Sequence, residues 1–115
     1  ARLTTLCLWL AGRGLIGRGV TVSRWRGALA ATCREAPRHP SPNAGWPEAM
    51  VANLLGVQLG GTNMYQGVAS HRATLGSGQI PLSVAHISLT LRLMHGGWLL
   101  FFAFLVLLAF LWGLQ

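Results

Sequence analysis

Hydrophobic and polar positions are distributed very unevenly along this chain. Trp98 to Leu114 is an unbroken apolar run, W-L-L-F-F-A-F-L-V-L-L-A-F-L-W-G-L, with a tryptophan near each end. Seventeen residues in α-helical rise reach about 26 Å, the short end of what a bilayer core demands, and tryptophans suit its two interfaces. Residues 96–114 are therefore predicted to form a transmembrane helix. Upstream, Ser83 can cap a helix on which Val84, Ile87, Leu91 and Met94 fall at helical spacing. Ile87, Leu89, Leu91 and Leu93 also alternate as a strand would, but the segment runs straight into the apolar span, so an amphipathic helix over 81–95 is preferred. At the other end, Leu3 to Gly12 is apolar and closed by Arg13. Ten residues do not span a bilayer, so 1–16 reads as the exit end of a membrane helix. A signal peptide is the weaker alternative, because its arginines should precede the apolar core rather than follow it.

Between these apolar ends the pattern loses its periodicity. Pro47 to Leu55 reads as a short helix stopped by Gly56, with Pro47 as its first residue and Glu48 in a first turn that favours acids. Val57-Gln58-Leu59 alternates briefly, Gly60-Gly61 turns the chain, and Thr62 to Gly78 reads as glycine-rich and irregular. The expected fold class is mainly α, an integral membrane protein with a C-terminal transmembrane helix, a partial N-terminal membrane helix and an irregular cytoplasmic loop domain. Its parts are the 1–16 helix end, a basic cytoplasmic connector at 17–37, a loop region at 38–80 carrying helix 47–55, the 81–95 helix and the 96–114 span.

Composition supports that order. The 115 residues are 52% hydrophobic and only 10% charged, so one domain at most is present and a bilayer is the natural home of the apolar excess. The net charge is +7, with Glu35 and Glu48 as the two acids. Six arginines lie between residues 13 and 38, namely Arg13, Arg18, Arg24, Arg26, Arg34 and Arg38. All of the chain's arginines precede Trp98, which predicts that residues 13–95 face the cytoplasm and that the last helix carries Gln115 outward. Trp9 and Trp25 are placed at the interface. RNA binding is disfavoured, because the basic residues do not interleave with an aromatic platform. Cys7 and Cys33 stand far apart, without zinc spacing, and suit a reducing compartment.

Several motifs carry less than they promise. Gly12-Arg13-Gly14-Leu15-Ile16-Gly17 matches G-x-G-x-x-G, but glycine and β-branched residues follow where the fingerprint needs a helix. With no lysine there is no phosphate loop of the G-K-[ST] type. His39, His71, His86 and His95 are too scattered for a metal site, and Ser41 beside His39 lacks an orienting acid for a triad.

The stretch from Arg38 to Glu48, R-H-P-S-P-N-A-G-W-P-E, is different. Its prolines push His39, Ser41 and Trp46 toward extended geometry, and Asn43, Ala44 and Gly45 then form a tight turn ahead of a helix. Backbone N–H groups at such a turn make an anion cradle. This stretch, followed by L-G-V-Q-L-G-G and Tyr65, resembles adenosylcobinamide-phosphate synthase, the membrane-bound cobalamin-biosynthesis family CobD/CbiB. The likeness extends to A-R-L-T at 1–4 and P-L-S-V-A-H-I at 81–87, and it concerns the C-terminal part of considerably longer proteins.

The resemblance implies an ATP-dependent amide ligase of the bacterial cytoplasmic (inner) membrane, multi-pass, joining adenosylcobyric acid to aminopropanol or its phosphate. ATP and Mg²⁺ are implied cofactors; the corrinoid substrate, the lipid bilayer and the missing N-terminal membrane part are implied partners, and nucleic acid is not. Matching motif residues are His39 and Glu48, expected to be catalytic, with Ser41, Asn43, Gly45, Gly60, Gly61 and Tyr65 expected to bind substrate. Asn43 and the Gly45 backbone would contact phosphate or corrinoid amides. Glu48 would help to hold Mg²⁺ or the incoming amine, or serve as a helix-terminal acid. No protein metal ligands are assigned. The sequence departs from the family at Tyr65-Gln66-Gly67, where Tyr-Gly-Gly is common, and at Ser77, where an acid stands between the two glycines. A non-catalytic small membrane subunit or inactive remnant is the alternative function.

Overall fold

The computed structural model describes residues 1–41, 43–65 and 68–115, with the side chains of 61–65 and 68–73 outside the description. Gln66 and Gly67, where the sequence departs from the family, lie outside the described residues.

Helix α1 (Arg2–Arg13) buries Thr5, Cys7, Leu8 and Gly12 and leaves Leu3, Leu6 and Leu10 exposed. A helix apolar all round but covered on one side has a second apolar face to satisfy. The chain then reverses through Gly17 and Gly19, both at positive φ, which tucks Leu15 and Val20 into the core. This is the segment matching the dinucleotide fingerprint; a helix precedes it rather than a strand, so the phosphate-binding turn does not form.

Helix α2 (Val22–Glu35) occupies most of the segment read as a connector, started by the Thr21 hydroxyl accepting from the Arg24 N–H. Arg26 and Arg34 are exposed, while Ala28 and Thr32 are buried. Arg24 also reaches across to the Leu54 carbonyl at 3.2 Å and the Gly19 carbonyl at 3.0 Å. One guanidinium thus caps the C-terminus of helix α3 and holds the preceding turn. Trp9 and Trp25 lock α1 to α2. Their rings stack 4.4 Å apart, and each indole N–H donates to the other residue's carbonyl at 2.8 Å. Those partners lie within the protein and leave neither indole N–H for an interfacial hydrogen bond.

A short 3₁₀ turn (Ala36–Arg38) leads to α3 (Gly45–Leu55), which starts two residues before Pro47. Trp46 is therefore helical, not extended. Pro47 is tolerated at the third helical position because first-turn N–H groups need no intrahelical acceptor. Met50, Leu54 and Leu55 of α3 form the middle of the core with Val20, Val57, Leu75 and Leu93. Gly56, at φ +74°, ends the helix.

Strands β1 (Leu59–Tyr65) and β2 (Val68–Leu75) pair antiparallel, where the sequence suggests an irregular segment. Their register slips between Leu59 and Gly61, and Gly60 takes φ +85° there. Gly60-Gly61 therefore bends a strand rather than turning the chain. Glu35 anchors the end of the strand pair by accepting from the Gly76 N–H.

Helix α4 (Val84–Gly113) is continuous over 30 residues, merging the amphipathic and apolar segments into one element. Ser83 caps it, with His86 Nδ1 accepting the Ser83 N–H at 3.0 Å. The stripe anticipated from spacing points outward: Val84, Ile87, Leu91 and Met94 are exposed. The packed side is Leu89, Leu93 and Gly97, because the glycine pair lets α1 approach closely. A Cβ on Gly96 would lie 3.0 Å from Ala11 Cβ, and one on Gly97 3.2 Å from a Leu8 methyl. Small residues at a helix crossing are a common device of membrane bundles. From Trp98 onward α4 projects beyond the body, and the chain extends 59 Å along its longest axis.

Candidate functional site

Residues 36–48 build the site by folding the proline-rich stretch back on itself. Ala36 accepts the His39 N–H at 3.1 Å, closing the 3₁₀ turn, and His39 then leaves in extended conformation, at φ −72° and ψ 137°. The Ser41 backbone N–H donates to His39 Nδ1 at 2.9 Å, and the Ala44 N–H to Ser41 Oγ at 3.3 Å. Helix α3 starts directly against this loop. Gly45 is buried, and a Cβ there would meet the Ala36 carbonyl oxygen and stand 2.7 Å from His39 Cβ. The close backbone approach that requires glycine is thus one between loop and helix.

The fold brings His39 and Glu48 together. His39 Nε2 lies 3.1 Å from Glu48 Oε2, with the imidazole side chain 12% exposed and the carboxylate 44%. Glu48 in turn borders a cavity of about 580 Å³ between α1, α3 and α4. Thr4, Cys7, Leu8, Val51 and Leu59 contribute to its wall, and Trp98 and Phe101 line it on the side of the projecting helix, where it is open. This is an apolar chamber with one carboxylate at its edge.

Asn43 lies on the other flank of the same helix start. With Arg2, Leu3 and Trp46 it lines a second cavity of about 440 Å³, and the Arg2 guanidinium lies 5.2 Å from the centre of the Trp46 ring. Sequence reasoning missed Arg2; its only signal was inclusion in the A-R-L-T match, far from the loop it joins. Gly45 and Trp46 have N–H groups in this first turn, whereas Pro47 has none, so an anion here would meet two helix donors at most.

The remaining candidates are more dispersed. Gly60 follows Leu59, which reaches the apolar chamber. Gly61 pairs with Arg72 across the two strands, and Tyr65 pairs with Val68 at the far end of β1, about 20 Å along the strand from Leu59. The Tyr65 side chain lies outside the described residues.

The donor set does not suit Mg²⁺–nucleotide on its own. Magnesium sites are built around carboxylates and substrate phosphates. Glu35 is committed to Gly76 and approached by the Asn53 amide at 3.5 Å, so Glu48 alone is left. Among the described residues no cluster of three His, Cys, Asp or Glu side chains is present.

The structure therefore defines a mainly helical chain with, among the described residues, one helix long and apolar enough to cross a membrane, and with a loop-built His–Glu pair beside an apolar chamber. The family model described as CobD/Cbib protein matches residues 1–94, and the chain belongs to that family. It is 47% identical over 81 residues to the cobalamin biosynthesis protein CobD of Halalkalibacterium halodurans, covering 70% of this chain and 25% of the relative. It is 46% identical over 98 residues to CobD of Geobacter metallireducens, covering 84% and 28%. With the cobalamin biosynthesis protein CbiB of Salmonella typhimurium it shares 45% over 94 residues, covering 82% and 28%. The chain thus spans about a quarter of the length of these curated relatives. No solved structure matches it.

Proposed function

We propose that this chain acts in cobalamin biosynthesis as part of a membrane ligase that joins adenosylcobyric acid to aminopropanol or its phosphate. The reading rests on family membership, and the observation that carries it to residues is the His39–Glu48 pair at the edge of the apolar chamber. Glu48 receives the proton released when the amine nitrogen attacks the activated carboxyl carbon. The new C–N bond forms as the leaving group departs with its electron pair, and His39 steadies the carboxylate. Trp98, Phe101 and the α1 wall limit water around the activated carboxyl group. Asn43 and Arg2 contact phosphate or corrinoid amide groups on the outer flank, while Gly60 and Gly61 shape the strand beside the chamber. Tyr65, by resemblance, adds a substrate contact. ATP and Mg²⁺, implied by the resemblance, are assigned ligands outside this chain. The same reading places the protein in the bacterial cytoplasmic membrane as a multi-pass assembly with the loop on the cytoplasmic side.

The test is a chimera in which residues 1–94 replace the matching segment of the Salmonella typhimurium relative. Amide formation should persist in the chimera and fall at least a hundredfold in Glu48→Gln, within the ~10²–10⁴-fold range of general base catalysis. A chimera that inserts normally but forms no product would favour the inactive-remnant reading. Full activity in Glu48→Gln would remove Glu48 from the mechanism.

A further inference from the structure

His39 makes one hydrogen bond and one close polar contact, and the direction of the first fixes its chemistry. The Ser41 N–H can only donate, so His39 Nδ1, 2.9 Å away, must present its lone pair. The proton of a neutral imidazole then resides on Nε2, which faces Glu48 Oε2 at 3.1 Å. A doubly protonated ring would set two donors against each other across the Ser41 contact. The burial of the imidazole, at 12% exposure, restrains the ring from turning away, whereas Glu48 is 44% exposed and borders the chamber. Among the described residues the Glu48 side chain has no other hydrogen-bond partner.

We infer that His39 is a positioning residue, held as the Nε2–H tautomer by the Ser41 backbone, which ties down one oxygen of Glu48 and leaves the other to meet the incoming amine. This rests on the reading of Glu48 given above and deepens it: His39 exchanges no proton with substrate, and the proline-rich loop serves to hold a tautomer. The ring is neutral before and after the step, and the amine proton goes to the free Glu48 oxygen.

Two substitutions separate positioning from a purely structural role. Gln at position 39 places an amide N–H near the Nε2 position and can still donate to Glu48. Asn reaches only the Nδ1 position, where its amide oxygen can accept the Ser41 N–H. If His39 served only the loop, Asn would be the better replacement; if it serves Glu48, Gln is. In the chimera, His39→Gln should retain a clearly larger share of the parent kcat than His39→Asn. His39→Asn should lower kcat roughly tenfold to a hundredfold, the scale of one lost contact to a charged group, with KM little changed. Independently of activity, ¹⁵N spectra of the ring-labelled 115-residue chain in detergent should show His39 Nδ1 bare and Nε2 protonated. Glu48→Ala should shift the Nε2 resonance. An Nδ1–H tautomer, an Nε2 signal indifferent to Glu48→Ala, or Asn outperforming Gln would each overturn the inference. Full activity in Glu48→Gln, with the ring spectra as expected, would instead overturn the catalytic reading of Glu48 and leave the positioning geometry standing.

Discussion

Gly45 and Gly27 both lie in helices, and replacing each by alanine should move stability in opposite directions. Gly27 is an exposed position inside α2, and a Cβ there would meet nothing within 4 Å. Alanine should stabilise it by up to about 1 kcal/mol through helix propensity alone. Gly45 has the same propensity gain available but no room for it. Its Cβ would press on the Ala36 carbonyl oxygen and sit 2.7 Å from His39 Cβ, where ordinary contacts begin at 3.4 Å. The start of α3 must therefore retreat from the loop by at least roughly 0.7 Å, an overpacking that costs about 1–3 kcal/mol. The same retreat stretches the His39–Glu48 contact, since one partner belongs to the loop and the other to the helix. A misplacement near 1 Å is worth about a hundredfold in rate when positioning limits the chemistry. Thermal unfolding of the chain in detergent, followed by far-ultraviolet circular dichroism, reads the first effect. Amide formation by the chimera at matched membrane levels reads the second. Gly45→Ala melting at or above the parent, or working at the parent rate, would refute the packing argument; Gly27→Ala guards against a general intolerance of helix substitutions.

Two further outcomes follow from other parts of the fold. Trp25→Phe removes the indole donor to the Trp9 carbonyl while keeping an aromatic ring, and should cost roughly 1 kcal/mol, or about 4 °C in a chain of this size, with loss of the near-ultraviolet signal of the stacked pair. An unchanged melt would mean that the clasp between α1 and α2 contributes little. For topology, in a Cys33→Ser background, Gln115→Cys should react with an impermeant thiol reagent from outside intact cells and Ser77→Cys should not; the reverse labelling would refute the orientation read from the arginines.

The extended apolar run and its cap at Ser83 were legible because each signal is local: hydrophobicity over many residues, and a hydroxyl ahead of a periodic segment. The loop was legible through its odd composition and its likeness to a family. What the sequence concealed depends on partners distant along the chain. Helix α2 was hidden by arginines and Gly27, yet it forms because Ala28 and Thr32 have a core to enter. The strand pair was hidden by glycine and by β-formers scattered among polar residues, and it is tied to the body through Glu35, far upstream of Gly76. The stripe on α4 was legible but its direction was not, because Gly96 and Gly97, silent in any hydrophobic pattern, decide which side α1 can approach. The His39–Glu48 contact could have been anticipated only by knowing that the loop closes on itself.

On the proposed membrane reading, the unbroken course of α4 would act as a depth gauge. Arg92 is the chain's last formal charge, and Trp98 to Gly113 alone reaches only about 24 Å, short of a hydrocarbon core near 30 Å. Filling that thickness would draw the helix in to about Met94, which would bring the Gly97, Trp98 and Phe101 wall of the chamber below the headgroups and leave Arg92 at the boundary. With no hinge between the two halves of the helix, the body could not rise or sink independently of such an anchor. Bilayer thickness would then set how much of the chamber faces acyl chains and how much faces water, so ligation should respond to lipid chain length even though lipid takes no part in the chemistry.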